Sequence, residues 1–258
     1  MTITSMLASF SAEQAAACFA IVFFTAIMRG YTGFGFALIS IPLLTMVIDP
    51  VVAVPTVLML EVLGSLQLLP KLWRSAHLGS VGWLLIGAAV ATPVGVYGLA
   101  TLPADLMRLI IAIVVLLTTL GLATGFRLEG RPGVPAVLAT GVVSGLLNGG
   151  AAMSGPPVIL FYLGTGAAAQ VGRASSMLYF FLSDSIAVGL AALSGLVQGP
   201  ILSLTALMVP ALVLGQVIGA RLFASSLNAH YRAVAIIVLL AVSSAALIQS
   251  AHSVWAIP

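Results

Sequence analysis

The sequence predicts an all-α, polytopic membrane protein. Three observations predict it: the composition, a ladder of apolar segments of bilayer length, and two glycine-rich interruptions at corresponding places in the two halves of the chain. Of 258 residues, 61% are hydrophobic and only 6% are charged, whereas a soluble domain carries roughly 25% charged side chains. Mean hydropathy is +1.24, so lipid must be the main solvent. The 26 glycines and 13 prolines fall largely inside apolar stretches, which helices in lipid tolerate when neighbours satisfy the freed backbone groups. Nine basic and six acidic side chains give a net charge of +3. That is far too few cations for a phosphate-backbone surface, so no nucleic-acid partner is expected. The single cysteine, Cys18, cannot form an internal disulfide and reads as a small apolar side chain. Met1 to Gln14 carries no basic region and further spans follow, so the first apolar run reads as retained rather than as a cleaved signal.

A crossing of roughly 30 Å of hydrocarbon takes about 20 apolar residues. Six segments meet that length: Val51 to Leu69, Leu78 to Ala100, Leu106 to Thr124, Val171 to Leu196, Ile201 to Leu222 and Ala233 to Ile248. Ala15 to Ile48 and Val134 to Thr165 are each too long for one span and are interrupted near the middle. In the first, Arg29-Gly30-Tyr31-Thr32-Gly33-Phe34-Gly35 separates two apolar limbs that cover only about 20 Å each at 1.5 Å per residue. Both limbs are therefore expected to fall short of a full crossing. In the second, Asn148-Gly149-Gly150-Ala151-Ala152-Met153-Ser154-Gly155-Pro156-Pro157 plays the same part.

These interruptions belong to an internal repeat. Gly33-Phe34-Gly35 falls over Met153-Ser154-Gly155, Gly95 over Gly219, and the helix beginning Arg108-Leu109-Ile110 over that beginning Arg232-Ala233-Val234. Each half then reads as one broken or re-entrant element followed by three transmembrane helices. The boundaries are 1–126 for the first repeat, 127–133 for a cytoplasmic linker and 134–258 for the second repeat. Lysine and arginine collect in short cytoplasmic loops. If each broken element enters and leaves on the same side, Lys71 to His77, Arg127 to Arg131, Arg173 and the Arg221 to Arg232 loop share one face. Glu13, Asp49, Asp105 and Arg108 share the other. The second repeat is then inverted relative to the first, and both termini lie outside the cytoplasm. Inverted repeats with interrupted helices are characteristic of transporters.

The pattern Gly30-x-x-Gly33-Phe34-Gly35-x-x-Leu38-x-x-x-Pro42-Leu43-Leu44, paired with Ser154-Gly155-Pro156-Pro157 in the second half, resembles the sulfite exporter TauE/SafE family over nearly the whole chain. The resemblance implies a multi-pass permease of the bacterial inner membrane that moves sulfur oxyanions or organosulfonates, usually outward. The family often has a fuller Gly-Gly run where this chain has Phe36-Ala37.

The site is argued from physics. Breaking a helix in lipid strands N–H and C=O groups at a cost of several kcal/mol, so a break persists only when buried in protein or lining a wet cavity. A helix restarting after a break offers free N–H donors and a partial positive charge, an anion site. Gly33, Phe34 and Gly35, with the Thr32 hydroxyl, are the candidate ligands in the first half; Asn148, Gly149, Ser154 and Gly155 are those in the second. Donors are expected from Ala152 to Gly155, with Pro156 and Pro157 in a first helical turn that needs no N–H. The competing reading of these glycines is close helix packing. Arg29 is the first candidate for a charged ligand, since a guanidinium forks onto sulfonate or sulfite oxygens; an interfacial snorkelling arginine is the alternative. Glu61 and Asp184 occupy comparable depths in corresponding helices and are candidates for proton coupling, or for buried pairs with Arg29 and Arg173. Gln216, beside Gly215 and Gly219, completes the set.

Enzyme chemistry finds no support. His77, His230 and His252 have no ligand-spaced partners, so no metal is expected. An HExxH pattern, a Walker loop and a nucleophile elbow are all absent, so no cofactor is implied and any coupling is expected to use an ion gradient or the substrate's own; a passive anion channel, a membrane enzyme and a non-transporting membrane subunit are the alternatives to a transporter. The expected partners are a small anionic substrate and the lipid bilayer, with a homodimer left open.

Overall fold

The computed structural model describes residues 10–32, 35–123, 132–165 and 168–224. The expected last span, Ala233 to Ile248, lies outside the described residues, as do the linker residues 127–131, Gly33, Phe34, His230 and His252, and nothing is described of the Thr32 side chain. Among the described residues there are nine α-helices: α1 (Ala12–Thr32), α2 (Phe36–Leu44), α3 (Pro50–Leu72), α4 (Leu78–Thr101), α5 (Ala104–Ala123), α6 (Val134–Ala151), α7 (Gly155–Gly164), α8 (Ala169–Leu193) and α9 (Gly199–Ala224). Seven are long and apolar enough to cross a membrane, all but α2 and α7. The protein is an all-helical, multi-pass membrane protein.

The broken elements differ from the expectation in one respect. Their first limbs are not short: α1 has 21 residues and α6 has 18, so only the second limbs, α2 and α7, are stubs. In the first, the helix runs on through Arg29 and Gly30 because Arg29 finds an ion-pair partner inside the protein and Gly30 packs onto the α9 backbone at Gln216 and Ala220. Likewise Asn148, Gly149 and Gly150 stay helical, with Gly149 lying against the backbone of Thr92 and Val96. The chain breaks only afterwards.

Local chemistry sets the helix ends. Ser11 and Gln14 form a reciprocal capping box, each backbone N–H reaching the other's side-chain oxygen at 3.1 Å. Helix α6 closes on Ala152 in the left-handed region (φ 54). There the Ala152 N–H donates to Asn148 O and the Met153 N–H to Leu147 O, the first of these being the bond of an αL ending. Gly35, with φ 88 and ψ 2, turns the chain into α2, a conformation that costs an L-residue roughly 1–2 kcal/mol. Buried hydroxyls satisfy themselves along the helices: Thr25, Thr56, Thr92, Thr119 and Thr205 each donate to the carbonyl four residues back.

Two helix pairs dominate the packing. Helix α1 lies along α9, and α6 lies along α4. Glycine makes both contacts possible: a Cβ on Gly215 or Gly219 would strike the α1 backbone, and one on Gly141 or Gly145 would strike α4. Each pair joins the first limb of one half's broken element to the second full helix of the other half. Between the pairs, α3 and α8 cross at the centre. One end of the molecule gathers the start of α1, the α2–α3 connection and the start of α5, through Gln14 Nε2 to Val47 O (3.3 Å) and Arg108 to Thr45 O (2.8 Å) and Asp49 (3.2 Å). The opposite end gathers the starts of α4 and α8 and the end of α7, through His77 N–H to Ser175 (2.9 Å) and Ser80 with Tyr162 (2.7 Å). Ile86, Val90, Val94 and Tyr97 leave one face of α4 as exposed apolar surface, suited to lipid contact.

Candidate functional site

Both breaks open onto one place. Arg29, in the last turn of α1, is 5% exposed. Its Nη1 donates to Glu61 Oε2 at the middle of α3, and its Nη2 donates to Ser65 Oγ at 2.9 Å. The guanidinium also sits 5.8 Å from the centroid of the Phe36 ring, within cation–π range. Phe36 is thus a wall of the arginine's niche. A buried pair of this kind returns little net stability, because desolvating two charges offsets their attraction. Its position matters more than its energy.

Across from it the second half contributes polar groups with little charge. Asp184 of α8 is 1% exposed and accepts from Ser154 Oγ at 3.2 Å. Asn148 donates to Ser183 Oγ at 3.0 Å. Ser144 Oγ donates to Ser154 O at 2.6 Å and accepts from Tyr179 OH at 2.8 Å, so the second break is pinned by a chain of hydroxyls. Asp184 reaches the edge of the site through Ser154. Arg173, its alternative partner in the sequence reading, is exposed at the start of α8 and about three turns away. Of the two buried pairs the sequence offered, only Arg29 with Glu61 forms.

A cavity of ≈ 30 Å³ lies between the breaks, lined by Arg29, Glu61, Gly35 to Leu38, Ala152 to Pro156, Ile159, Met177 and Phe180. One water needs roughly 10–15 Å³ on this measure, so the space holds two or three waters. The N-terminus of α2 faces it. The first bond of that helix is Ile39 N–H to Gly35 O at 3.2 Å, which leaves the N–H groups of Phe36, Ala37 and Leu38 without acceptors within the helix. The second break supplies fewer donors than the sequence suggested. The Ala152 and Met153 N–H groups are consumed in closing α6, and Pro156 and Pro157 have none, so only Ser154 and Gly155 remain. The site is lopsided: helix N–H donors and the Arg29–Glu61 ion pair from the first half, hydroxyls and a carboxylate from the second.

The candidates therefore separate. Arg29, Gly35, Glu61, Ser154 and Gly155 line the cavity; Asp184 stands behind Ser154, and Asn148 is bonded to Ser183. Gly149 packs on α4 outside it, and Gln216 lies on the other flank of Arg29, over Gly64. Ser65, Ser144, Tyr179 and Ser183 were not anticipated. The available signal was helical spacing: Ser65 stands one turn from Glu61 and Ser183 one turn from Tyr179, each on the same face.

Membrane-length helices packed around a charged cavity at two helix breaks are an arrangement suited to membrane transport. The sequence model of the family described as Sulfite exporter TauE/SafE matches residues 18–246, and the chain belongs to that family. No match is found among curated proteins or among solved structures.

Proposed function

We propose that this protein is a secondary transporter, an exporter, of a small sulfur-containing anion such as sulfite or an organosulfonate. The observation that carries the proposal is the convergence on one cavity of Arg29 and the three N–H groups of α2 that have no acceptor within the helix. An anion there meets a helix N-terminus and a guanidinium together. Family membership supports the sulfur chemistry. The cavity's small volume favours alternating access over an open channel.

In this reading the two halves are inverted repeats. Each broken element enters and leaves at one end of the molecule, the first at the periplasmic face and the second at the cytoplasmic face, and both termini are periplasmic in a bacterial inner membrane. Arg29 is held by Glu61 while the site is empty. When Glu61 takes up a proton the guanidinium is freed for the anion, and Asp184 behind Ser154 serves as a second proton site. Substrate and proton then travel in compensating steps. No enzymatic step is involved.

Binding of a panel of anions to purified protein in detergent tests this directly. Sulfite and sulfoacetate should bind, and acetate of similar size should bind more weakly. Equal binding of carboxylates, or no binding of any sulfur anion, would overturn the proposal.

A further inference from the structure

Gln216 is 5% exposed, yet neither its Oε1 nor its Nε2 has a hydrogen-bond partner. Turning the amide merely exchanges two unpartnered atoms. A buried amide left unpaired costs about 1–3 kcal/mol, and membrane interiors enforce that cost strictly. An apolar residue would serve better if packing were the only requirement. The surroundings indicate what the amide serves. A Cβ on Gly64 would meet both Gln216 Nε2 and Arg29 Cζ, so amide and guanidinium converge over one glycine and occupy the room its missing side chain leaves. Ser65 completes the niche through Arg29 Nη2. Gly64, Ser65 and Gln216 all lie outside the lining of the oxyanion cavity, whereas Arg29 belongs to both places. Ser65 stands one helical turn, about 5.4 Å, beyond Glu61 in the direction of the Trp73–Ser75 end.

We infer that Gln216 with Arg29 forms a second anion subsite, a stepping point between the oxyanion cavity and the end of the molecule where α3 finishes. This deepens the transport reading and rests on it. An oxyanion there accepts from the amide N–H and from the guanidinium; a protonated one also donates to the amide oxygen. Arg29 passes the anion from one subsite to the other by turning between Glu61 and Gln216, without leaving its helix.

Two variants test it, the second in a Cys18→Ala background. Gln216→Leu removes the unpaired amide and should fold with a thermal midpoint equal to or above wild type, while sulfoacetate flux into proteoliposomes falls at least tenfold. Gln216→Cys should react with a small anionic methanethiosulfonate, and sulfoacetate should protect it. Wild-type flux in Gln216→Leu, or a Gln216→Cys variant that fails to label or labels without protection, overturns the subsite. If the wild-type chain moves no sulfur anion, the transport reading itself fails, a result on which the labelling experiment does not depend.

Discussion

Arg29 and Glu61 lie 32 positions apart in the chain and meet as an ion pair inside the bundle, joining the end of the first broken helix to the middle of the next. Removing one partner leaves a buried uncompensated charge. Arg29→Ala and Glu61→Ala should each lose about 3–5 kcal/mol of stability, read as a fall in unfolding midpoint in detergent. The double variant Arg29→Met/Glu61→Leu should recover most of that loss and still bind no sulfur anion. A double variant that binds normally would remove the pair from the site.

Gly35 and Gly149 are glycines for different reasons, and substitution separates them. A Cβ on Gly35 meets nothing within 4 Å, so only its positive φ resists: Gly35→Asn should be nearly neutral and Gly35→Ala should cost about 1–2 kcal/mol. A Cβ on Gly149 strikes the α4 backbone, where overpacking costs about 1–3 kcal/mol or more. Gly149→Asn should therefore be worse than Gly149→Ala, the reverse of the order at Gly35. Thermal unfolding of the four variants checks both.

Much of this was legible in the sequence. Apolar length alone located α3, α4, α5, α8 and α9 to within a few residues. The breaks were legible as glycine clusters, and Glu61 and Asp184 as acidic side chains deep in apolar helices. Where α1 and α6 end was not, because an arginine and three small residues read as breakers until their tertiary partners are known. Local pattern cannot show that Glu61 neutralises Arg29 or that α9 fills the groove beside Gly30. The donor shortage at the second break was hidden for a similar reason: whether the Ala152 and Met153 N–H groups are free depends on how α6 closes.

Asp184 offers a test of coupling. Its carboxylate is buried behind Ser154, so Asp184→Asn keeps the shape and removes the proton site. Transport of sulfoacetate in the variant should lose its response to an imposed pH gradient while exchange at equal pH persists. A retained pH response would assign coupling to another group.

Orientation has its own measurement. Gln198 and Ser75 lie in exposed connections at opposite ends. In whole cells, with Cys18 replaced by alanine, Gln198→Cys should label with an impermeant thiol reagent and Ser75→Cys should not. The opposite result would reverse the proposed membrane orientation.

The central claim is that an anion crosses the membrane through the cavity held by Arg29 and the N-terminus of α2. Flux of sulfite and sulfoacetate into proteoliposomes of purified protein measures it most directly. The wild-type chain should show gradient-driven uptake, and Arg29→Ala should lose at least a hundredfold. Absence of flux under every imposed gradient, or undiminished flux in Arg29→Ala, would contradict it.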